Sequence, residues 1–171
     1  MKEYIIGVDP GTRCAGFGVI AINGEATEHV QHGVIRMKEG WSLPERLQYL
    51  QTELQTVFTR FPVTTAAVEK VFFGKNADSA FKLGHARGVC LLVAAQNGVA
   101  VEEYAARYVK KCMTGSGSAS KDHVQMVIFN LLGIRPREIA LDASDALSLA
   151  LTHARMKDVR RRMKMALEGS L

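Results

Sequence analysis

The feature that most constrains the fold is an Asn23-Gly24 pair between two segments rich in β-branched residues, 15–22 and about 27–37. Asn-Gly is typical of a tight β-hairpin turn, which requires positive φ angles that these two residues adopt readily. An apolar segment at 3–9 precedes the hairpin. The chain is therefore predicted to open as an antiparallel meander of three strands.

The rest of the chain alternates predicted helices and strands. Ser42 and Glu45 have the spacing of a capping box, and apolar residues then recur every three or four positions to about Phe61, which indicates an amphipathic helix. The further predicted elements are a buried strand at 64–71, a helix from 78 or 79 to about 97, a strand at 98–104, helices at about 105–113 and 119–132, and a last helix from about 142 into the tail. This order predicts an α/β fold: a mixed five-stranded sheet, made of an antiparallel meander plus parallel strands, flanked by helices.

Composition indicates an ordinary globular chain of 171 residues, 47% of them hydrophobic. Cys14, Cys90 and Cys112 are far apart and form no CxxC pair, so we expect reduced thiols in a cytoplasmic protein rather than disulfides or a thiolate zinc site. The first apolar run is too short for a signal peptide, and no stretch approaches the roughly 20 apolar residues that span a bilayer. No membrane contact is expected.

The net charge of +5 is concentrated near the C-terminus. Residues 154–171 carry six basic and two acidic side chains. A basic tail suits phosphate contacts, but a solvated helix end explains it equally well. We predict one domain at 1–154 followed by a basic tail at 155–171.

Four carboxylates occupy suggestive positions. Asp9 ends the first strand, Glu69 lies in a predicted buried strand, and Asp142 and Asp145 project from neighbouring positions of the last helix. A turn residue, an ion pair and helix capping are ordinary explanations for these acids taken singly. Together they offer the oxygen ligands that Mg²⁺ prefers, and two such ions can promote phosphoryl displacement.

Four long segments carry a family pattern: GVDPGTRCAGFGV, VEKVFFGKNADSAFKLGHARGV, EYAARYVKKCMTGSGSASKDHVQ and LDASDALSLALTHA. In this order, over about residues 4–154, they resemble the bacterial RuvC Holliday-junction resolvases. The resemblance implies an RNase H-like fold, a homodimer, contact with the RuvA-RuvB branch-migration complex, and two Mg²⁺ ions per active site, for which Mn²⁺ would substitute. It implies symmetric paired nicking of four-way DNA junctions, leaving 5′-phosphate and 3′-hydroxyl ends.

The resemblance also assigns residues. The acidic tetrad that binds metal and catalyses falls on Asp9, Glu69, Asp142 and Asp145, with Asp142 standing where some relatives have His. Lys121 carries over as a catalytic residue that could stabilise negative charge near the scissile phosphate. The implied DNA-binding residues are Phe72, Phe73, Lys75, Asn76, Lys82, Arg87, Lys110, Lys111, Ser116, Ser118 and Lys121.

Several of these DNA contacts have alternatives. Phe72 is implied to stack on an unpaired base, although both phenylalanines could instead finish a strand in the core. Lys110 and Lys111 could be a solvated helix face, and Arg87 a packed or solvated one. The Gly- and Ser-rich segment 114–118 could be a simple connector. Of the five histidines, His85 is expected on a packed or solvated helix face and His153 in a structural role, and His29, His32 and His123 show no spacing that suggests metal ligands.

Three other functions compete with the resolvase. The GVDPGT segment also resembles the phosphate-binding hairpin of actin-like ATPases and kinases, which generally need a second domain that 171 residues would not supply. A non-catalytic junction-binding module would make poor use of four acids, because they would repel DNA without metal. Processing of RNA or RNA–DNA hybrids on the same fold stays open.

Overall fold

The computed structural model describes residues 2–70, 77–135 and 139–168. The elements in chain order are β1 (Glu3–Asp9), β2 (Cys14–Asn23), β3 (Ala26–Arg36), α1 (Leu43–Arg60), β4 (Val63–Glu69), α2 (Ala77–Gln96), β5 (Ala100–Tyr104), α3 (Ala106–Thr114), α4 (Lys121–Leu132) and α5 (Leu141–Glu168). The sheet order is β3-β2-β1-β4-β5, with β1, β2 and β3 antiparallel and β4 and β5 parallel to β1. The predicted mixed five-stranded sheet is therefore confirmed.

The hairpin turn lies one residue further along than the Asn-Gly pair predicted. Asn23 pairs with Ala26, so the two-residue loop is Gly24-Glu25. Gly24 has a φ of 64°, and among the described residues only glycines have positive φ. Of the two loop residues, only the first, Gly24, therefore has a positive φ. A turn of this kind favours glycine at its first loop position, which explains why Gly24 stands there.

Helices cover both faces of the sheet. Alternate side chains of β1 point to opposite sides, so Ile6 packs with α1 and α2 while Ile5 packs with α3, α4 and α5. Helix α1 begins where Glu45 accepts a hydrogen bond from the Ser42 backbone at 2.7 Å, as the capping pattern predicted. Its buried side chains are Leu50, Leu54, Val57 and Phe58.

Helix α5 lies unusually close to the sheet. A Cβ atom added to Gly7 would lie 1.8 Å from the Ala146 carbonyl oxygen, and one added to Gly16 would lie 1.9 Å from that of Asp142. Only glycine allows this approach of helix backbone to strand. Because Gly16 pairs with Asp9, the approach holds the first turn of α5 beside the end of β1.

The long α5 has a buried first half and an exposed second half. Its buried residues run from Ala143 to His153, and from Arg155 onward the side chains are partly or fully exposed. The helix itself continues without a break to Glu168. Within the described parts of the chain, no helix is both long and apolar enough to cross a membrane.

Candidate active site

Two carboxylates meet where the parallel strands β1 and β4 end. Val8 pairs with Val68, so Asp9 and Glu69 lie side by side at the carboxyl edge of the sheet. Burial, a hydrogen bond to Glu69 and the charges of Glu69, Asp145 and Asp142 raise the pKa of Asp9 to about 8. Without a compensating cation, two acids this close do not both ionise readily at neutral pH.

The first turns of α4 and α5 supply the rest of the cluster. Lys121 Nζ lies 2.8 Å from Asp145 Oδ2, and both side chains reach solvent. The hydrogen bond to Asp145 is the main cause that raises the pKa of Lys121, and the charges of Asp9 and Glu69 add to it. Lys121 therefore balances three of the four acids electrostatically.

Asp142 has a different partner. Its Oδ2 accepts a hydrogen bond from the Cys14 thiol at 2.9 Å, and Arg36 Nη1 lies 3.6 Å from the same sulfur. Burial, followed by the hydrogen bond to Asp142 and its charge, raises the pKa of Cys14 to about 11, so the thiol stays protonated. Sequence reasoning treated Cys14 only as a reduced thiol, and no local pattern in the sequence indicates its contact with Asp142, which lies 128 positions away.

A cleft of about 120 Å³ opens over the acidic pair. Its lining residues are Asp9, Glu69, Ala106, Val109, Lys110, Lys121, Val124, Asp145, Ser148 and Leu149. The structure thus brings together three of the four predicted acids and two predicted lysines. Asp142 stays at the side of the cleft, held by Cys14.

The carboxylate oxygens of the four acids are ligands of the kind that a hard divalent cation prefers. Their present positions do not surround a common point. Oxygen ligands from a few carboxylates are what Mg²⁺ takes, usually with water and substrate phosphate completing its shell. In the described residues, no three His, Cys, Asp or Glu side chains are placed to hold a metal ion together. Lys121 contacts only Oδ2 of Asp145, and Cys14 contacts only Oδ2 of Asp142, so each carboxylate keeps a second oxygen that can bind a cation once the side chains converge.

The predicted contacts around the cleft fall into three groups. Lys110 donates a hydrogen bond to the Ala119 carbonyl at 2.8 Å, which ties α3 to the loop before α4. In that loop the hydroxyls of Ser116 and Ser118 lie 3.0 Å apart, and both residues are exposed. Lys111 is exposed at the end of α3 and is not part of the cleft lining.

Two predicted DNA contacts are engaged elsewhere on α2. Arg87 forms two 2.6 Å hydrogen bonds with the Glu103 carboxylate, and Lys82 pairs with Asp78 one turn away. The described cleft lining includes neither Arg87 nor Lys82. The predictions for Phe72, Phe73, Lys75 and Asn76 lie outside the described residues.

A five-stranded mixed sheet of this order, with acids at the ends of its first and fourth strands and on its last helix, defines an RNase H-like nuclease fold. The family described as crossover junction endodeoxyribonuclease RuvC matches residues 5–153. The chain belongs to the RuvC family.

Relatives and a solved structure agree with this assignment. The RuvC of Bdellovibrio bacteriovorus is 46% identical over 154 residues, which cover 90% of this chain and 91% of that protein. The RuvC of Pseudothermotoga lettingae is 40% identical, covering 92% and 98%. The structure of T. thermophilus RuvC in complex with Holliday junction substrate superposes with a TM-score of 0.83 at 31% identity, covering 89% and 93%.

Proposed function

We propose that the protein is a Holliday-junction resolvase, a structure-selective endonuclease that makes symmetric paired nicks in four-way DNA junctions during recombination and repair. The observation that carries this proposal is the convergence of Asp9, Glu69 and Asp145 with Lys121 in one cleft of a RuvC-family chain. In a bacterial cell this activity belongs in the cytoplasm, where the DNA is.

Asp9, Glu69, Asp142 and Asp145 are proposed to hold two Mg²⁺ ions, for which Mn²⁺ would substitute. The raised pKa of Asp9, caused first by burial and then by its acidic neighbours, supports this role because a cation would relieve the repulsion. When bound, the ions would lower the pKa of an attacking water and stabilise the leaving 3′-oxygen, which gives 5′-phosphate and 3′-hydroxyl ends.

Lys121 is proposed to stabilise negative charge on the scissile phosphate. Its ammonium group is held at the mouth of the cleft by Asp145 and stays within reach of solvent. A fixed positive charge at this place acts most strongly where water is excluded by bound DNA. Lys110 would act less directly, since its ammonium group orders the loop at Ala119.

The proposed DNA surface extends from the cleft over the 115–120 loop. Ser116 and Ser118 present hydroxyls that can bind phosphate oxygens, and the exposed Lys111 lies in the last turn of α3, before this loop. Phe72, Phe73, Lys75 and Asn76 are proposed from the family resemblance, with Phe72 stacking on a base. Lys82 and Arg87 are the weakest members, since both are ion-paired within the protein.

A homodimer is proposed because two nicks on a two-fold symmetric junction need two active sites. The surface that supports it is a groove of about 620 Å³ along α2, where the side chains of Phe81 and Leu92 are 64% and 52% exposed. A Cβ atom added to Gly84 or to Gly88 would meet no atom within 4 Å, so the backbone of α2 is open there to the close approach of a second helix. Contact with RuvA-RuvB is proposed from the family resemblance alone.

The test is cleavage of a synthetic four-way junction with each strand end-labelled in turn, beside a linear duplex and an RNA–DNA hybrid of the same sequence. We expect paired nicks at symmetry-related positions on the junction, with Mg²⁺ and not with chelator. Asp9→Asn should bind the junction and cut it about a thousandfold more slowly, because metal coordination supplies several kcal/mol to the transition state.

Asp158→Asn is the matched control, since Asp158 is an acidic residue of the exposed half of α5. It should cut at the wild-type rate. Cleavage of the hybrid in preference to the junction would keep the metal site and overturn the substrate. Junction binding with no cleavage by the wild type would replace the nuclease with a binding module.

A further inference from the structure

Two histidines lie side by side on β3, outside the acidic cleft. His32 Nδ1 is 2.8 Å from His29 Nε2, and the ring centroids are 4.9 Å apart. Side chains three positions apart on a regular strand point to opposite faces of the sheet. A regular β3 would therefore have separated these two rings.

A β-bulge brings them onto the same face. Ile20 pairs with His29 and Val19 pairs with Gln31, so Val30 is an extra residue with no partner in β2. A bulge of this kind re-aims the side chains that follow it. Beyond it, His32 pairs with Gly18 and points to the same side of the sheet as His29.

That side is the one covered by α5. Ile20 packs in the same apolar cluster as Leu147, and a Cβ atom on Gly18 would contact the Leu147 side chain. His29 and His32 are partly buried there, at the edge of the sheet. Their rings are therefore oriented by packing while solvent still reaches them.

The facing nitrogens have the chemistry of a metal-binding pair. In a hydrogen bond between two imidazoles, one nitrogen carries a proton and the other offers a lone pair. A metal ion can take the place of that proton and bind both nitrogens. Burial, together with the adjacent His32 ring, holds the pKa of His29 below its usual range, which favours the neutral, ligating form.

The spacing needs little change. With metal–nitrogen bonds of about 2.0–2.1 Å, two nitrogens in square or tetrahedral positions lie roughly 2.9–3.4 Å apart. The observed separation is 2.8 Å. An opening of a few tenths of an ångström, with a rotation of both rings that turns the two lone pairs from each other toward a common point, would admit the ion.

We propose that His29 and His32 form a binding site for a borderline transition-metal ion, of which Ni²⁺, Cu²⁺ and Zn²⁺ are the candidates. Imidazole ligands suit these ions, whereas Mg²⁺ selects oxygen, so the site is chemically distinct from the acidic cleft. Water molecules complete the coordination shell. The site does not depend on the proposed nuclease function.

Ni²⁺ titration by calorimetry tests the site, with the full-length protein kept in excess Mg²⁺ so that the carboxylates are occupied. We expect one Ni²⁺ per chain in the wild type. His29→Gln and His32→Gln should each weaken binding at least about tenfold, since even indirect damage to a metal site costs that much. His123→Gln, which alters an exposed histidine of α4, should bind like the wild type.

Proton NMR of the wild-type protein gives a readout that does not depend on how the variants fold. Paramagnetic Ni²⁺ should broaden the imidazole signals of His29 and His32 at metal concentrations that leave sharp the signals of His123 and of His85, an exposed residue of α2. Equal broadening of all four histidines would overturn the site. So would Ni²⁺ affinities that are the same in the wild type and in folded His29→Gln and His32→Gln proteins.

Discussion

The two halves of α5 show how differently one helix can be constrained. The first half, up to His153, is buried against β1 and β2, and its backbone rests on Gly7 and Gly16. The second half, from Arg155, exposes Val159, Met163, Met165 and Leu167 and forms ion pairs on its surface. Close packing specifies nearly every residue of the first half, whereas the second needs only helix-forming and solvated side chains.

The difference between the two halves bears on the predicted boundary between the domain and the basic tail at 154/155. Burial ends at that point, but no break in the helix marks it. The separation into a domain at 1–154 and a basic tail at 155–171 stays a prediction. The variants below test it through the stability that each half contributes.

The largest effect is expected where α5 touches the sheet. In Gly7→Ala, the new Cβ would lie 1.8 Å from the Ala146 carbonyl oxygen and 2.9 Å from the Ala150 nitrogen, both of them backbone atoms that move only with the helix. We expect a loss of about 3 kcal/mol in the free energy of unfolding. For a chain of this size, that lowers the melting temperature by roughly 6–12 °C, measurable by calorimetry.

Ala166→Leu is the matched enlargement in the second half, where residue 166 is exposed. Leucine is a good helix former, so the free energy of unfolding should change by less than about 0.5 kcal/mol. Equal losses in Gly7→Ala and Ala166→Leu would mean that both halves are packed alike. The contrast between them would then be wrong.

The sequence predicted the fold well because apolar strands and capped helices are local patterns. The sequence alone missed two features that depend on how the residues of β3 pair with those of β2. The turn moved to Gly24-Glu25, and the bulge at Val30, which brings His29 and His32 together, follows from how β3 sits on β2. A rule of alternating faces cannot foresee an extra residue.

The acidic cleft also combines a part that the strand order predicts with a part that it does not. Asp9 and Glu69 end parallel neighbouring strands, so their meeting follows from topology. The hydrogen bond of Asp142 to Cys14 could not be predicted, because it joins residues 128 positions apart whose approach depends on the glycine contact at Gly16. The metal-binding and DNA-binding roles stay predictions until the cleavage assay is made.

A second effect, of intermediate size, should appear when the pH is lowered. His153 ends the buried half of α5, and the Tyr104 hydroxyl lies 2.9 Å from its Nδ1. Burial lowers the pKa of His153; Glu102 and Glu3 act to raise it, while Lys157 and Arg160 lower it. Because the folded state binds this proton less readily than the unfolded state, the stability that neutral His153 contributes is full above about pH 6.5 and is lost as the pH drops toward the folded pKa.

The measurement is the free energy of unfolding in urea between pH 7.5 and 5.5. One histidine contributes at most about 1.4 kcal/mol per pH unit to the slope, and His153→Gln should remove that part. His123→Gln, at an exposed position, should keep the wild-type slope. An unchanged slope in His153→Gln would mean that its imidazole is hydrated like a surface residue.

The smallest effect is expected from the second half of α5, where Arg160 Nη1 lies 3.1 Å from Glu102 Oε1 on β5. The Arg160 and Glu102 side chains are 58% and 39% exposed, and exposed ion pairs contribute only about 0.2–1 kcal/mol. Arg160→Gln should therefore lower the free energy of unfolding by less than about 1 kcal/mol, and by less still in high salt, where screening weakens the pair. Arg161→Gln, which removes a pair within the helix to Asp158, is the control for charge alone. If Arg160→Gln cost as much as Gly7→Ala, the second half of α5 would be part of the folded domain and the division at 154/155 would have to be abandoned.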